Sequence, residues 1–424
     1  MQLPAEFLSR MRGILGKDFD VFVKSYESPA QRAIRVNTLK IPVEKFKRIS
    51  PFSLEQVPWE NSGFYVSAEG LGKTVYHAAG LYYVQEPSAM CAAPMLEAKG
   101  GERVLDLCSA PGGKGSQLAQ YLDGEGIIFL NEINFSRAKI LSSNVERLGI
   151  KNSVVTCSSP EKLAEEFVSY FDKILVDAPC SGEGMFKKEP NAIPEWSVEN
   201  VKVCAVRQAA ILDSAYKMLA VGGRIVYSTC TFAPEEDEGQ IENFLKRHTD
   251  CKLIKQQKLY PHEFRGEGHF YSVLQKNDGE RRDVRLLTPS LKDKKLLSVY
   301  RQWESEFLNI KFENLHLIGQ TLYSLPDAMP LTKAQTLRAG VRIGEFTGSR
   351  FEPSHSLAMC LADGEAQCLD VDGHTALNYL HGLTFNCGQT IKGWYVVAFD
   401  GFPLGWCKVS DGTAKNKLPK GVRI

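Results

Sequence analysis

The sequence predicts an α/β protein in which a parallel sheet, covered by helices on both faces, follows a small α+β domain and precedes a β-rich region. Two observations predict the central domain. A short apolar strand leads into a glycine turn and a helix between residues 103 and 122, and strand and helix patterns then alternate as far as residue 248. A third observation, two apolar segments on either side of Asp400-Gly401, predicts a β-hairpin in the C-terminal region.

The central domain begins with the stretch Arg103–Lys114. Val104, Leu105 and Leu107 form a short apolar strand, and Ser109–Gly113 form a turn of small residues. Apolar residues then recur at steps of three and four, which indicates a helix. In doubly wound α/β domains such a corner binds nucleotide-like ligands, because glycines let the backbone approach the ligand and the helix N-terminus offers free N–H groups. A structural corner without a ligand is the alternative, since glycine turns are common.

Glu132 indicates the class of ligand. It ends the next predicted strand and lies 20 residues after Gly112, where these folds place a carboxylate that accepts hydrogen bonds from ribose hydroxyls. The glycines at 112, 113 and 115 do not follow the G-x-G-x-x-G spacing of dinucleotide-binding enzymes, and no partner for a pyrophosphate is evident. We therefore expect a nucleoside ligand without phosphates, such as S-adenosylmethionine, rather than NAD.

The other elements of the central domain follow from apolar runs that alternate with amphipathic segments, a pattern typical of parallel strands joined by helices. The predicted strands are 104–108, 127–131, 153–157, 172–178 and 224–228. The predicted helices are 88–96, 114–122, 136–148, 160–170, 200–219 and 234–248. The segment Gly268–Leu274 is expected to close the sheet.

The two ends of the chain have patterns of their own. Helices at 6–16 and 18–25 and a strand around Ile34 are predicted in the N-terminal domain. The charge-dense segment Lys276–Lys295 is predicted to be a linker. Short strands are expected beyond it, at 315–324, 341–345, 393–399 and 403–409.

Composition excludes several classes of protein. No apolar run approaches the roughly 18 residues of a membrane span, and the first residues lack a signal-peptide core. Eleven cysteines are scattered without a C-x-x-C pair, so we expect no metal site and a reducing, cytoplasmic environment.

Charge is unevenly distributed, although the net charge is only +1. Lys and Arg outnumber Asp and Glu by ten to five in residues 1–50 and by five to one in residues 406–424. Basic ends around a near-neutral middle fit RNA binding, and the tail with Trp406 and Lys408 is suited to phosphate contact. Solvated surface charge is an equal alternative for either end taken alone.

Two cysteines stand at the carboxyl ends of predicted strands. Cys180 follows Asp177-Ala178-Pro179 after the fourth strand, and Cys230 follows Ser228-Thr229 after the fifth. Both are expected to face the cleft that the glycine turn also faces, where a thiolate is a strong nucleophile. A buried core position is the usual alternative for one cysteine, and it is less expected for two at one functional edge.

Methylation at carbon 5 of a pyrimidine needs this set of residues. Carbon 5 is a poor nucleophile, and addition of a thiolate at carbon 6 makes it enamine-like, so that it can accept a sulfonium methyl group. The adduct must then lose the carbon 5 proton and expel the thiolate. Asp177 is expected to hold a proton near ring nitrogen 3 and so neutralise charge during addition. These arguments do not decide which cysteine attacks.

Three segments resemble the RNA cytosine-C5 methyltransferases of the Sun/Nop family: Asp106–Lys114 (DLCSAPGGK), Asp177–Gly182 (DAPCSG) and Ser228–Cys230 (STC). Arg35–Thr38 (RVNT) is similar to the N-terminal motif of that family. The resemblance implies a Rossmann-like, S-adenosylmethionine-dependent methyltransferase core.

Two further segments are similar to the RsmF branch of the family, which acts on 16S ribosomal RNA of the small subunit. They are Gly182–Pro190 (GEGMFKKEP) and Gly266–Phe270 (GEGHF). The tail, with Pro403–Trp406 and Lys415–Lys417, resembles the PUA-type ending of that branch.

The resemblance implies a role for each matching residue. Cys230 matches the nucleophile of the family, and Cys180 matches the second cysteine, which releases the product. Asp177 is expected to act on the base as well as near the cofactor. The residues that match cofactor contacts are Cys108, Ser109, Ala110, Pro111, Gly112, Gly113, Lys114, Glu132 and Asp177.

The resemblance also implies how the chain is divided and what it binds. We expect an RNA-binding or family-specific domain at 1–80, a methyltransferase domain at 81–277, a linker with an intermediate domain at 278–350, and a PUA-like RNA-binding domain at 351–424. The expected partner is ribosomal RNA or the small ribosomal subunit, with no membrane, and the protein is expected to be a cytoplasmic monomer.

One departure from the family follows the third strand. The family usually has an acidic residue there for the adenine amine, whereas this chain reads Cys157-Ser158-Ser159-Pro160. The contact to the adenine amine could come from Ser158, could come from the backbone or could be absent. Two other functions are weighed: a non-catalytic ribosome-assembly factor, disfavoured because the turn and Cys230 are intact, and a dinucleotide oxidoreductase, disfavoured by the glycine spacing.

Overall fold

The computed structural model describes residues 2–388 and 391–424. Its N-terminal unit packs helices against a small antiparallel sheet. The strands are β1 (Ala33–Val36), β2 (Glu55–Gln56), β3 (Gly63–Tyr65) and β4 (Tyr82–Val84), and the helices are α1 (Ala5–Leu15), α2 (Phe19–Ser25), α3 (Val43–Ile49) and α4 (Val75–Ala78). The strands lie in the order β2-β3-β1-β4. The predicted helix pair and the strand around Ile34 are confirmed.

The central unit alternates strands and helices, which confirms the α/β prediction. Its strands are β5 (Arg103–Asp106), β6 (Ile127–Asn131), β7 (Ser153–Thr156), β8 (Phe171–Asp177), β9 (Leu219–Thr229), β10 (Cys251–Leu259) and β11 (His269–Lys276). Its helices are α5 (Gly113–Leu122), α6 (Phe135–Leu148), α7 (Pro160–Glu166), α8 (Val198–Met218) and α9 (Glu238–Arg247). Strands β5 to β9 pair in parallel, and β11 and β10 pair antiparallel beyond β9.

The C-terminal region contains two small sheets, with helix α10 (Lys294–Phe307) before the first. Its strands are β12 (Leu315–Ile318), β13 (Thr321–Ser324), β14 (Thr336–Ala339), β15 (Val341–Thr347), β16 (Arg350–Pro353), β17 (Cys368–Asp370), β18 (Phe385–Asn386), β19 (Gly393–Phe399), β20 (Phe402–Ser410) and β21 (Thr413–Asn416). Two further helices are α11 (His355–Cys360) and α12 (Gly373–Leu380). The hairpin predicted at Asp400-Gly401 is confirmed, since β19 and β20 pair antiparallel on either side of it.

The central sheet lies in the order β10-β11-β9-β8-β5-β6-β7-β14. From β5 the chain first adds strands on one side, through β6 to β7, and then crosses to β8 on the other side. A crevice forms at such a reversal, at the carboxyl ends of the strands. This edge of the sheet carries the glycine turn and both strand-end cysteines.

Strand β14 comes from the segment 278–350, predicted to be a linker with an intermediate domain, yet it forms one edge of the central sheet. It pairs antiparallel with β7. The Cys157 N–H donates to the Gln335 carbonyl at 2.8 Å, and the Gly340 N–H donates to the Ser153 carbonyl at 2.9 Å. The four residues of β14 have no fully buried side chain, so the sequence shows no alternation of apolar and polar residues there. Only the tertiary structure shows this strand.

Two predictions for the central unit are wrong. Residues 88–96 form two short 3₁₀ segments instead of a helix, and Pro94 in the second segment has no N–H to donate. The segment 268–274 does not close the sheet, because β10 lies outside β11. Most of β10 is exposed at this edge, so it lacks the alternation of apolar and polar residues by which strands are predicted.

The N-terminal and C-terminal units share one hydrophobic cluster. Ile34, Phe46 and Tyr82 belong to the same cluster of buried residues as Val397 and Leu404. The last sheet therefore covers apolar surface of the N-terminal unit. Among the helices in residues 2–388 and 391–424, none is long and apolar enough to cross a membrane.

Candidate active site

A cavity of about 620 Å³ opens at the carboxyl ends of β5, β6, β8 and β9. Small-molecule sites commonly measure roughly 300–1,000 Å³. The cavity brings together six of the predicted site residues, which are Cys108, Ala110, Glu132, Asp177, Cys180 and Cys230. The other predicted residues lie outside its lining, and they are Ser109, Pro111, Gly112, Gly113 and Lys114.

Main-chain hydrogen bonds hold the turn after β5. The Ser109 N–H donates to the Asn131 carbonyl and the Gly112 N–H donates to the Ser109 carbonyl, both at 2.7 Å. Gly112 has a φ of 110°, and a Cβ atom added there would lie 2.9 Å from Leu141 Cδ1. Glycine is therefore required by the left-handed backbone and by the approach of α6. This close neighbour is a helix and not the cavity.

Glu132 presents its carboxylate at the end of β6, with a side chain only 4% exposed. One carboxylate oxygen accepts the Asn134 N–H at 2.8 Å, and the other lies 3.2 Å from a guanidinium nitrogen of Arg137. These contacts fix the carboxylate and leave lone pairs for hydroxyl donors in the cavity.

Asp177 lies at the end of β8 in a polar network. Its Oδ2 is 2.9 Å from Lys114 Nζ, and its Oδ1 accepts the Ser228 hydroxyl at 2.9 Å. Burial, the largest single influence, would raise the pKa of this carboxyl, but Lys114, His269 and the Ser228 hydroxyl together outweigh it and the net pKa is lowered. Asp177 is therefore ionised in the free protein, and it brings no proton of its own to ring nitrogen 3.

Lys114 forms an ion pair with Asp177, and the sequence alone does not predict this pairing. Its side chain is 9% exposed, and the carboxylate raises its pKa against the effect of burial. His269 Nε2 lies 4.0 Å from Asp177 on the other side. Burial, followed by the charge of Lys114, lowers the pKa of His269 to about 3, so this imidazole is neutral.

The two strand-end thiols lie next to each other. The Sγ atoms of Cys180 and Cys230 are 3.1 Å apart, and the Cys230 N–H points to Cys180 Sγ at 3.4 Å. The hydrogen bond to Cys230, together with burial, raises the pKa of Cys180 well above its ordinary value. The raised pKa favours the protonated form of Cys180, and either thiol can donate in this contact.

Several lining residues were missed by the sequence analysis. Ile133 is 64% exposed directly after Glu132, and an exposed apolar residue at a strand end is a signal that could have identified it. Arg207 reaches the cavity from α8, and no spacing rule points to it. Asp106, quoted above only within a motif, is fully buried, and burial raises its pKa to about 7.

The segment after β7 is folded on itself. Asn131 Nδ2 donates to the Ser158 carbonyl at 3.0 Å, and the Ser159 hydroxyl caps α7 by accepting the Lys162 N–H. Glu161, one residue into that helix, lines the cavity. An acidic side chain is thus present at this end, four positions beyond Cys157.

The basic C-terminal tail differs from the expectation for Trp406. This indole is 1% exposed, and its Nε1 donates to the Ser354 carbonyl at 2.9 Å. Lys408 and Lys417 instead lie over the ring of Trp394, which is itself buried. Trp406 is therefore a core residue and is not available for phosphate contact.

Four family descriptions match the chain. Residues 93–275 match the family 16S rRNA methyltransferase RsmB/F, and residues 3–87 match the N-terminal domain of 16S rRNA methyltransferase RsmF. Residues 302–361 match the RsmF rRNA methyltransferase first C-terminal domain, and residues 366–424 match the methyltransferase RsmF PUA domain.

Curated relatives match over nearly the whole chain. Ribosomal RNA small subunit methyltransferase F of Vibrio cholerae serotype O1 (strain M66-2) is 30% identical, and the alignment covers 99% of this chain and 97% of that protein. The protein of the same name from Vibrio vulnificus (strain YJ016) is 31% identical, with the same coverage of 99% and 97%.

Solved structures share the fold of about two thirds of the chain. A methyltransferase homolog protein from Pyrococcus horikoshii is 32% identical with a TM-score of 0.58, over 63% of this chain and 93% of that one. The structure of NSun6 from Pyrococcus horikoshii has a TM-score of 0.60 at 23% identity, over 65% of this chain and 99% of that one.

Proposed function

Since this chain belongs to the RsmF family of small-subunit ribosomal RNA methyltransferases, we propose that it methylates carbon 5 of a cytosine in 16S ribosomal RNA through a covalent adduct with Cys230. Membership confirms the resemblance read from the three motifs, the Rossmann-like methyltransferase core and the S-adenosylmethionine-dependent enzyme class. One observation carries the finer proposal. The same cavity is lined by Glu132 and by the thiol pair of Cys180 and Cys230.

The donor set of the cavity fits S-adenosylmethionine. Glu132 offers carboxylate oxygens to ribose hydroxyls, and Ile133 offers an apolar surface to a planar base. Carboxylates suit a cationic sulfonium, whereas they would repel a pyrophosphate. When bound, S-adenosylmethionine supplies an electrophilic methyl group.

Cys230 is proposed to activate the base. Its thiolate adds to carbon 6 of cytosine, so that carbon 5 becomes enamine-like. The 3.1 Å contact between the thiols supports this assignment, because the raised pKa of Cys180 favours its protonated form, which can donate toward Cys230. A hydrogen bond donated in that direction would stabilise negative charge on the Cys230 sulfur at the end of β9.

Asp177 and Lys114 are proposed to serve the ring of the base. Addition at carbon 6 places negative charge toward nitrogen 3, and a proton there would neutralise it. Because Asp177 is ionised, this proton comes from Lys114 or from solvent, and the carboxylate holds it in place. The ion pair at 2.9 Å keeps both groups together at the strand end.

Cys180 is proposed to act after methyl transfer. Its pKa is raised first by the hydrogen bond to Cys230, and that contact changes once Cys230 becomes a neutral thioether on carbon 6. Cys180 then loses its own proton to solvent more easily, and the resulting thiolate accepts the carbon 5 proton. The carbon 6–sulfur bond breaks with its electrons returning to Cys230, and the ring double bond re-forms.

The flanking units are proposed to bind the RNA, with boundaries at 1–80, 81–277, 278–350 and 351–424. The lysines of the C-terminal tail are exposed and suited to phosphate contact. A ribosomal RNA substrate would place the activity in the cytoplasm, and we propose that the protein acts there as a monomer.

The two cysteines should fail differently when replaced. Purified variants are mixed with S-adenosylmethionine and small ribosomal subunits from cells that lack this protein. Cys230→Ala should abolish methyl transfer, because no adduct forms. Cys180→Ala should accumulate a protein–RNA adduct, which a denaturing gel shows as a slow band that disappears in the double variant.

Two results would contradict the proposal. If Cys230→Ala traps RNA and Cys180→Ala does not, then the Pro-Cys thiol is the nucleophile. If neither variant loses activity, the reaction does not use a covalent adduct. Product analysis as 5-methylcytidine, with Cys204→Ala as a cysteine control on α8 outside the cavity, completes the test.

A further inference from the structure

Four buried polar side chains lie around the two thiols, and we call them the cysteine frame. They are Ser181, Gln208, Thr231 and Glu236, and the most exposed of them, Ser181, is 7% exposed. None of the four lines the cavity. Buried polar groups are costly unless they are hydrogen-bonded, and their bonds therefore constrain the backbone that they contact.

Two members of the frame bond to both neighbours of Cys180. Gln208, on α8, donates its amide to the Pro179 carbonyl at 3.0 Å and to Glu236 Oε2 at 2.7 Å. The same Glu236 oxygen accepts the Ser181 N–H at 3.0 Å. The residues before and after Cys180 are thus fixed by one amide–carboxylate pair.

The other two members join the loops that carry the thiols. Ser181 directly follows Cys180 and Thr231 directly follows Cys230, and their hydroxyl oxygens are 2.8 Å apart. This bond sets the separation of the loops one residue beyond the 3.1 Å contact between the Sγ atoms.

The two cysteines do not depend on the frame equally. Cys230 follows β9 directly, and β9 is paired on both sides, with β8 and with β11. Cys180 lies three residues beyond the end of β8, where no ladder holds the chain. Loss of the frame should therefore displace Cys180 more than Cys230.

We propose that the cysteine frame positions Cys180 for the release step, while leaving addition by Cys230 largely unaffected. The inference rests on the proposed function. In the release step the carbon 5 proton passes to the Cys180 thiolate, the carbon 6–sulfur bond breaks with its electrons going to Cys230, and the ring double bond re-forms. A displacement of about 1 Å in a reacting group can cost on the order of 100-fold in rate. A displaced Cys180 should therefore slow release and cause the methylated adduct to accumulate.

The test separates addition from release in the full-length protein. Gln208→Leu and Glu236→Leu each remove the pair that holds Cys180. With small subunits from cells that lack the protein, the single-turnover rate of methyl transfer should stay within about threefold of wild type, because addition and transfer precede release. Multiple turnover should fall about 10- to 100-fold, and the adduct should accumulate on a denaturing gel as it does for Cys180→Ala.

Matched variants separate positioning from general instability. Gln120→Leu removes another buried glutamine, which donates to the Val36 carbonyl far from the thiols, and it should accumulate no adduct. Glu236→Gln keeps an oxygen for the Ser181 N–H and should recover most of the turnover lost in Glu236→Leu. Thr231→Val, which is close in shape and removes only the hydroxyl, should show a weaker form of the same defect.

The outcomes also distinguish this inference from the proposed function. If Cys180→Ala traps adduct while the frame variants turn over at the wild-type rate, the frame has no positioning role and the proposed function stands. If transfer and turnover fall equally in the frame variants without adduct, the frame is merely structural. If Cys180→Ala itself traps nothing, both proposals fall.

Discussion

Replacement of Lys114 by Met tests the ion pair on which the site depends. The change keeps a long, flexible side chain and removes the cation that lies 2.9 Å from Asp177. Asp177 keeps the hydroxyl of Ser228 as a donor. The variant therefore leaves a partly buried carboxylate without its counter-charge, and it should unfold more easily than wild type at neutral pH.

The size of the effect follows from the pKa of Asp177. Loss of a close cation raises a carboxyl pKa by about 1–3 units, and each unit corresponds to about 1.4 kcal/mol between the two protonation states. Because the Asp177 side chain is 34% exposed, water screens part of this interaction. We expect the variant to lose about 1–2 kcal/mol of the free energy of unfolding at pH 7.

The sign of the pH dependence is fixed by the direction of each pKa. In wild type the pKa of Asp177 is lowered, so the stabilisation is present above the unfolded value of about 4 and is lost only as the pH falls through the folded pKa. In the variant, burial raises the pKa of Asp177 above that value, so the variant loses stability as the pH rises toward 7. The difference between the proteins should widen from pH 5 to pH 7.

Urea unfolding at pH 5, 6 and 7, followed by tryptophan fluorescence, measures this difference. The double variant Lys114→Met/Asp177→Asn should be more stable at pH 7 than Lys114→Met alone, because a neutral amide needs no cation. A stability difference that is constant across this pH range, or a double variant no better than the single one, would refute the reasoning.

Three other predictions concern ligands. Glu132→Ala should weaken S-adenosylmethionine binding by about 1–3 kcal/mol in calorimetry, the cost of a charge-assisted hydrogen bond, whereas Glu165→Ala on the exposed face of α7 should not; equal affinities would remove Glu132 from the cofactor site. Arg207→Ala should raise the KM for RNA and lower the salt dependence of binding by about one phosphate contact. Lys202→Ala on the same helix should do neither. An unchanged KM for Arg207→Ala would show that Arg207 does not contact the RNA. Replacing the exposed tail lysines Lys415, Lys417 and Lys420 with Ala should weaken RNA binding and leave cofactor affinity intact. A variant that binds RNA as tightly as wild type would contradict a role for the tail.

The tail prediction uses point substitutions because of the packing between the units. Val397 and Leu404 of the last sheet share a hydrophobic cluster with Ile34 and Tyr82 of the N-terminal unit. A truncation that removed the C-terminal region would expose that cluster and destabilise the rest of the chain. Single lysines at the surface change charge without this loss.

The sequence by itself determined the alternation of parallel strands and helices in the central domain, the position of the glycine turn and the placement of Glu132, Cys180 and Cys230 at strand ends. These features depend on local periodicity and on spacing along the chain, because parallel strands bring their carboxyl ends to one edge wherever they occur. The same spacing carried the three motifs that identified the family. No tertiary information was needed for any of these conclusions.

Only the tertiary structure decided which side chains meet. The pairing of Lys114 with Asp177, the 3.1 Å contact of the thiols and the bonds from Gln208 and Glu236 to the loop around Cys180 join residues from 29 to 63 positions apart. Strand β14 and the burial of Trp406 likewise depend on distant partners. Spacing along the chain fixes which face or edge a residue occupies, but a contact between distant segments depends on how whole elements pack, and no local pattern encodes that packing.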